Sequence, residues 1–233
     1  MAELYDLSDL EMLAKDCLTR AGVSEGDAQT VARDVALAEV SGDRDSGFEA
    51  LLRDIRLLRY GRVHLDAVAE VTMPAGAVLA VDARHGFAAS ALSTALPNLI
   101  DMALREGLAL LHLTNSSDPG AMAGAMTGLA SAGLVGISLR PSGAAFAVRP
   151  GAQAVTPFEP RTDTMLSSLL SMAPAPTDSP LDGPVAHSGW IAALNPDVTA
   201  GHDLLNSLPT VKASPTRAGV ALAPDLLAQI VNA

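Results

Sequence analysis

From Ala121 to Leu139 the chain carries no charged residue. A run of that length has to be buried, either in a protein core or in lipid, and about 20 apolar residues suffice for a membrane span. Gly124, Gly128, Gly133 and Gly136 interrupt it, together with Thr127, Ser131 and Ser138. At Gly133 its character changes from Ala/Met-rich to Leu-Val-Gly-Ile-Ser-Leu. So glycine-rich a segment, with Asp118 and Arg140 near its ends, is only weakly hydrophobic on insertion scales. The pattern predicts helix, turn and buried strand in a globular protein, with no membrane span.

The remainder of the 233 residues can supply the matching core, since 49% of the chain is hydrophobic. Aromatic residues make up only 3%, so that core has to be built from small aliphatic side chains, which favours close helix contacts. Against 26 Asp and Glu stand 15 Lys and Arg, a net charge of -11. This balance repels phosphate backbones and anionic lipid surfaces and excludes nucleic acid as an expected partner. The single cysteine, Cys17, closes no intrachain disulfide and builds no thiolate metal site. Met1 to Arg20 is acidic and amphipathic rather than basic and then apolar, so the cytoplasm is the expected compartment.

Ser8 followed by Glu11 reads as a capping box, after which Leu10, Leu13, Ala14, Cys17, Leu18 and Ala21 recur at helical spacing until Gly22. Ser24 with Asp27 opens a second helix, carrying Ala28, Val31, Ala32, Val35 and Ala36 on one stripe. A third segment, Phe48 to Tyr60, turns Phe48, Leu51, Leu52, Ile55 and Leu58 inward and sets Arg53, Arg56 and Arg59 apart. Beyond it the period changes. Val78 to Val81 reads as a strand, Asp82 to Gly86 as a turn, and Ala88 to Arg105 as a helix with a kink or break at Pro97. Leu108 to Leu113 and Leu134 to Leu139 read as buried strands, and Asn115 to Gly120 between them as a polar loop. The prolines from Pro141 to Pro180 predict a loop-rich region except around Thr164 to Met172. Trp190 to Leu194 reads as a strand, Asp203 to Leu208 as a short helix, and Pro224 to Val231 as a final amphipathic helix. The alternation predicts an α/β protein.

No G-x-G-x-x-G fingerprint, P-loop, H-E-x-x-H or Cys/His metal spacing is present. His64, His85, His112, His187 and His202 are scattered. Gly120, Gly124 and Gly128 fall on one helical face, where they let a neighbouring element approach closely. A helix beginning at Pro119 and Gly120 offers free N–H groups to an anion, but Asp118 stands beside that positive end as its expected N-cap. Arg53 and Arg56 present guanidinium groups suited to a carboxylate or phosphate, such as a small acidic metabolite.

The order of segments resembles the malate/L-lactate dehydrogenase type 2 family. The likeness is carried by the capped helical start with Gly22-Val23-Ser24, Ala38-Glu39-Val40 then Gly42, and Gly47 leading to Tyr60-Gly61-Arg62-Val63. Val81-Asp82 with Gly86, Asn115-Ser116 with Gly120, and Gly133-Leu134-Val135-Gly136 continue it. It runs over about residues 5 to 160, and more loosely over 183 to 233 through His187 to Asp197 and Ala218-Gly219-Val220.

The resemblance implies a helical N-terminal unit plus a mixed sheet layer with helices, without a Rossmann fingerprint. The implied parts are residues 1–65 with the C-terminal helix 222–233, a nucleotide-domain-like core at 66–160, a proline-rich shortened segment at 161–184, and a return strand and helix at 185–221. It also implies a homodimer that uses NAD or NADP to reduce 2-oxo or cyclic 2-imino acids, with Asn115, Ser116 and Gly120 where a cofactor would lie. The catalytic positions depart from the family. Its Ser-His-Gly is Asp45-Ser46-Gly47 here, so the proton-exchanging histidine becomes Ser46, and the substrate-carboxylate arginine becomes Ala50. Its His-x-Gly is Asp118-Pro119-Gly120. Asp163 echoes a later acidic position and is given no role. A hydroxyl does not replace an imidazole titrating near neutral pH, so the expectation is a catalytically impaired relative with a binding or regulatory role. The alternatives are an active oxidoreductase, using Ser46, Asp45 or Asp118 with Arg53 or Arg56 as the clamp, and an unrelated binding module.

Overall fold

Two short polar signals start the molecule. Asp6 accepts from the Asp9 N–H and Asp9 reaches back to the Asp6 N–H, closing a capping box over α1 (Leu7–Arg20), a feature worth about 1 kcal/mol. The box thus sits two residues before the expected Ser8/Glu11 pair. The same three-residue spacing occurs in both registers, and the earlier one adds Leu7 to the helix, where it packs against the buried clusters on either side. Ser24 caps α2 (Glu25–Val40) through the Asp27 N–H, as expected. A single 3-10 turn, Arg44–Ser46, then leads into α3 (Phe48–Arg59).

The structure is a computed structural model that describes residues 4–140, 145–158, 184–198 and 219–233. The expected exception to the loop around 164–172, the expected short helix at 203–208, and Asp163 lie outside the described residues. Within them, Leu4–Tyr5 (β1) pairs with Val220–Ala221 (β9). Seven further strands form one mixed sheet: β2 (Glu70–Ala75), β3 (Val78–Asp82), β4 (Leu108–Ser116), β5 (Val135–Leu139), β6 (Ala145–Val148), β7 (Thr156–Phe158) and β8 (His187–Leu194). Their order is β2-β3-β4-β8-β5-β6-β7, with only β3 and β4 parallel. Strand β8 therefore returns late in the sequence to the middle of the sheet. Both edge strands carry a proline, Pro74 in β2 and Pro157 in β7, residues that tolerate edges because they lack an N–H for a further ladder.

Helices α4 (Ala88–Glu106) and α5 (Ala123–Ser131) pack on one face of this sheet over an aliphatic core that includes Leu79, Val81, Leu92, Leu99, Leu111, Leu113, Met126 and Leu129. The expected break at Pro97 is absent, α4 running as one helix from Ala88 to Glu106. Pro97 and Ser93, whose carbonyl the proline leaves without an N–H, are both exposed, so water can satisfy that group. A second buried cluster joins α1, α2 and α3 to the last helix, α6 (Pro224–Asn232), through Leu10, Leu18, Val31, Phe48, Leu51, Ile55 and Ile230. Arg20 ties α1 to α6 by donating to the carbonyls of Ile230 and Val231. Leu37 and Ala38 of α2 enter the sheet core, so the two layers share α2.

The uncharged run folds as turn, helix, turn and strand. No described helix is long and apolar enough to cross a membrane. Gly128 is where α5 meets Leu96 of α4, a Cβ there falling 2.6 Å from Leu96 Cδ2. Three expectations shift in this region. Strand β4 continues through Asn115 and Ser116, with a bulge between Leu113 and Ser116. Helix α5 starts at Ala123 rather than at Gly120, and its N-cap is Met122 rather than Asp118. The chain between 145 and 158, expected as loop, contributes β6 and β7, whose short length and proline content hid them.

Candidate functional site

The helical layer meets the α/β layer along α3 and the turn that follows β4. Ser46 ends the 3-10 turn with its Oγ donating to Asp43 Oδ2 at 2.6 Å, and it is buried. Gly47 follows because Glu39 leaves no room for a side chain: a Cβ at Gly47 would fall 2.0 Å from Glu39 Oε2. That carboxylate accepts from the Phe48 N–H at 3.2 Å, and burial raises its pKa. One turn into α3 lies Ala50, and one turn further Asp54, both buried on the same face.

Asp54 is the most perturbed group at this seam. Burial pushes its pKa up to about 7; the Arg53 charge opposes this, the Asp118 charge adds to it, and a hydrogen bond to the Ser117 hydroxyl lowers it. Its Oδ1 is buried without a hydrogen-bond partner. Ser117 in turn accepts from the Ala88 N–H at the start of α4, at 3.2 Å. Asp118 bridges two elements: Oδ2 accepts from Arg53 Nη2 at 2.9 Å and Oδ1 from the Gly120 N–H at 3.0 Å. Gly120 has a positive φ of 53°, and a Cβ there would lie 2.8 Å from Ser46 Cβ, so only glycine passes this point without displacing the 3-10 turn. Beside it, Asp34 of α2 accepts from the Gly124 N–H at 2.6 Å. Burial raises its pKa to about 6 against the pull of that N–H, with the Asp43 charge adding to the rise.

Ser46, Ala50, Asp54, Ser117, Asp118 and Gly120 line one cavity of about 30 Å³. That is room for one or two water molecules and far below the several hundred Å³ of ordinary ligand pockets. The structure thus brings together Ser46, Ala50, Asp118 and Gly120 and joins Arg53 to them through Asp118. Three predicted residues stay apart. Asn115 donates to Asp82 Oδ1 at 3.1 Å, Ser116 donates to the His187 carbonyl at 3.3 Å, and Arg56 lines a separate groove on the other side of α3.

No histidine lines the cavity. His64 and His85 pack edge to face at 5.3 Å, His85 Nδ1 lies 2.7 Å from the Val185 carbonyl, and His112 stacks on Trp190 at 4.0 Å. Among the described residues no cluster of His, Cys, Asp and Glu is placed to hold a metal. A nicotinamide ring does not fit the cavity, and the Asp118 carboxylate stands where the resemblance puts a cofactor phosphate. Asp34, Asp54 and Ser117 were missed by sequence reasoning. The available signal was Asp54 itself, an acidic residue on the apolar stripe of Leu51, Ile55 and Leu58.

Helices α4 and α5 on a mixed seven-stranded sheet, closed by a helical layer whose seam holds these polar positions, define a dehydrogenase-type α/β fold. The chain belongs to the malate/L-lactate dehydrogenase family, whose sequence profile matches residues 5–162. It is 30% identical over 139 residues to Delta(1)-pyrroline-2-carboxylate reductase 1 of Burkholderia ambifaria, covering 60% of this chain and 41% of that protein. Over 138 residues it is 33% identical to (2R)-3-sulfolactate dehydrogenase (NADP(+)) of Chromohalobacter salexigens, covering 59% and 41%. The matched region thus spans about two fifths of these relatives' length. The fold superposes on delta1-piperideine-2-carboxylate reductase from Pseudomonas syringae with a TM-score of 0.68 at 18% identity, covering 99% of each chain.

Proposed function

We propose that this chain is a catalytically impaired member of its oxidoreductase family, a cytoplasmic homodimer acting as a binding or regulatory protein for a small acidic metabolite. One observation carries the reading. At the place where the resemblance puts a proton-exchanging imidazole and a carboxylate-binding guanidinium, the chain sets the Ser46 hydroxyl and the Ala50 methyl against a water-sized cavity. The Ser46 hydroxyl is already committed to Asp43, and general acid–base help of the missing kind is worth about 10²- to 10⁴-fold in rate. No catalytic step is assigned to a nicotinamide cofactor, because the residues at the seam leave it no room.

A second reading has one specific support. Arg53 is held beside Asp118 at the cavity's edge, where a guanidinium could serve as the clamp that Ala50 lacks, and the relatives that share this part of the chain are named reductases and dehydrogenases. On that reading the chain is an active oxidoreductase of a 2-oxo, 2-hydroxy or cyclic 2-imino acid.

The deciding experiment titrates the purified protein with NADH and NADPH, following cofactor fluorescence, and then adds pyruvate, oxaloacetate or Δ1-pyrroline-2-carboxylate while following cofactor oxidation. No enzyme-dependent oxidation is expected, and none is expected after Ser46→His with Ala50→Arg, because the cavity stays closed. Saturable turnover by the unaltered chain establishes the second reading and removes the first.

A further inference from the structure

Residues 64–69 run past the start of α4 and enclose with it a cavity of about 170 Å³. An apolar cavity of about 150 Å³ admits benzene, so this one has room for about six to eight non-hydrogen atoms. Buried Phe87 and Ala91 line it together with Leu65 and Val68, which are 43% and 81% exposed and so mark its opening. Ser90, in the first turn of α4, lines it too, and its Oγ is buried without a hydrogen-bond partner. Hydroxyls inside helices commonly donate to the carbonyl four residues back, as those of Thr94, Thr127 and Ser131 do at 3.1, 2.9 and 2.9 Å. The corresponding carbonyl for Ser90 is that of Gly86, which already accepts from the Ser117 N–H at 2.9 Å. Ser90 therefore brings an unspent hydroxyl to the cavity, and a buried hydroxyl left unpaired is unfavourable.

The groups around that hydroxyl select a ligand class. The Ser90 N–H is one of the first-turn donors that a helix leaves open, and it has no partner among the described residues. Donors at a helix start favour a carboxylate. His64, its ring edge-on to His85 at 5.3 Å, lines the same cavity and makes no ring hydrogen bond among the described residues. Asp27 brings a carboxylate whose Oδ2 accepts from Ser24 Oγ at 2.7 Å, and no basic side chain among the described residues pairs with it. A lone anion is opposed by Asp27 and a lone amine by the start of α4, whereas a molecule carrying both charges satisfies each. The apolar lining adds a short hydrocarbon body. We infer that this cavity binds a small aliphatic α-amino acid as its zwitterion, the carboxylate on Ser90, the ammonium group on Asp27 and the side chain against Leu65, Val68 and Phe87. Among the described residues the cavity shares only Phe87 with the one at the seam, so the inference goes beyond the reading above and does not rest on it.

The test is a nuclear magnetic resonance titration of the intact isotope-labelled protein with L-valine, following the amides of residues 64–69 and of the first two turns of α4. Valine is expected to shift them saturably and to bind at least about tenfold tighter than isobutylamine, isovalerate or glycine, which lack the carboxylate, the ammonium group and the side chain respectively. Ser90→Ala is expected to weaken valine about tenfold while leaving the unfolding temperature unchanged or raised, because without ligand the hydroxyl has no partner. Asp27→Asn is expected to remove the preference for valine over isovalerate. Ser93→Ala, exposed on α4 and off the cavity, is expected to change affinity less than about twofold. The assignment is overturned by shifts that do not saturate, by isobutylamine or isovalerate binding as tightly as valine, or by Ser90→Ala leaving affinity unchanged. A lowered unfolding temperature in Ser90→Ala shows the hydroxyl to be structural and overturns it as well.

Discussion

The two sides of α3 differ in what they do with charge. On the inner side Asp54 is held in an apolar seam, its pKa pushed up to about 7 and one carboxylate oxygen without a partner, against a cavity of about 30 Å³. On the outer side, only one or two residues away in sequence, Arg53 and Arg56 stand beside an open groove more than forty times larger, the quotient of 1300 and 30 Å³. The same helix thus spends Asp54 on the buried seam and Arg53 on an ion pair with Asp118, and leaves Arg56 beside the open groove.

The largest expected effect breaks the inner side with pH. An aspartate has an unfolded pKa near 3.9, and the folded state holds Asp54 at about 7. The folded protein therefore binds the proton more tightly. Its contribution is fully present below about pH 4 and is lost as pH rises toward 7, on the order of 4 kcal/mol in total. Asp34, raised to about 6, adds in the same direction. Denaturant unfolding between pH 4 and 8 is expected to show stability falling across this window, with the slope reduced in Asp54→Asn; an unchanged slope in that variant removes Asp54 as the cause.

Next in size is the steric seal. Gly120→Ala puts a Cβ 2.8 Å from Ser46 Cβ on a backbone with φ of 53°, and about 1–3 kcal/mol of destabilisation is expected from the strain and overpacking. Thermal unfolding checks it, and a variant as stable as the parent means the seam is loose. The smallest effect belongs to the Arg53–Asp118 pair. Its side chains are 42% and 27% exposed, so Arg53→Met is expected to cost at most about 1 kcal/mol. A markedly larger loss shows that this pair, rather than packing, holds the layers together.

Much of this frame was legible from patterns that act locally. Ser24 with Asp27, the stripe from Ala28 to Ala36, and the run from Val78 to Val81 each specify an element through neighbours a few residues away. The misreadings fall where distant contacts decide. Pro97 is tolerated because its turn faces water. Residues 145–148 become a strand because β5 offers them a partner. Asn115 and Ser116 stay in β4 because β8 returns beside them. At the seam, Ser46, Ala50 and Asp118 were found through family likeness, but Asp34 and Asp54 were not. An aspartate on an apolar stripe reads as a solvated interruption until the layer covering it is known.

Strand β8 pairs with β4 on one side and β5 on the other, yet it follows β5 by almost fifty residues, counting from Leu139 to His187. During synthesis, β4 and β5 must therefore leave the ribosome and wait, each with one ladder edge open toward the other, until Leu194 has been made. The middle of the sheet closes last, which favours slow assembly and makes the interval before closure the period when nascent chains are most exposed to mispairing.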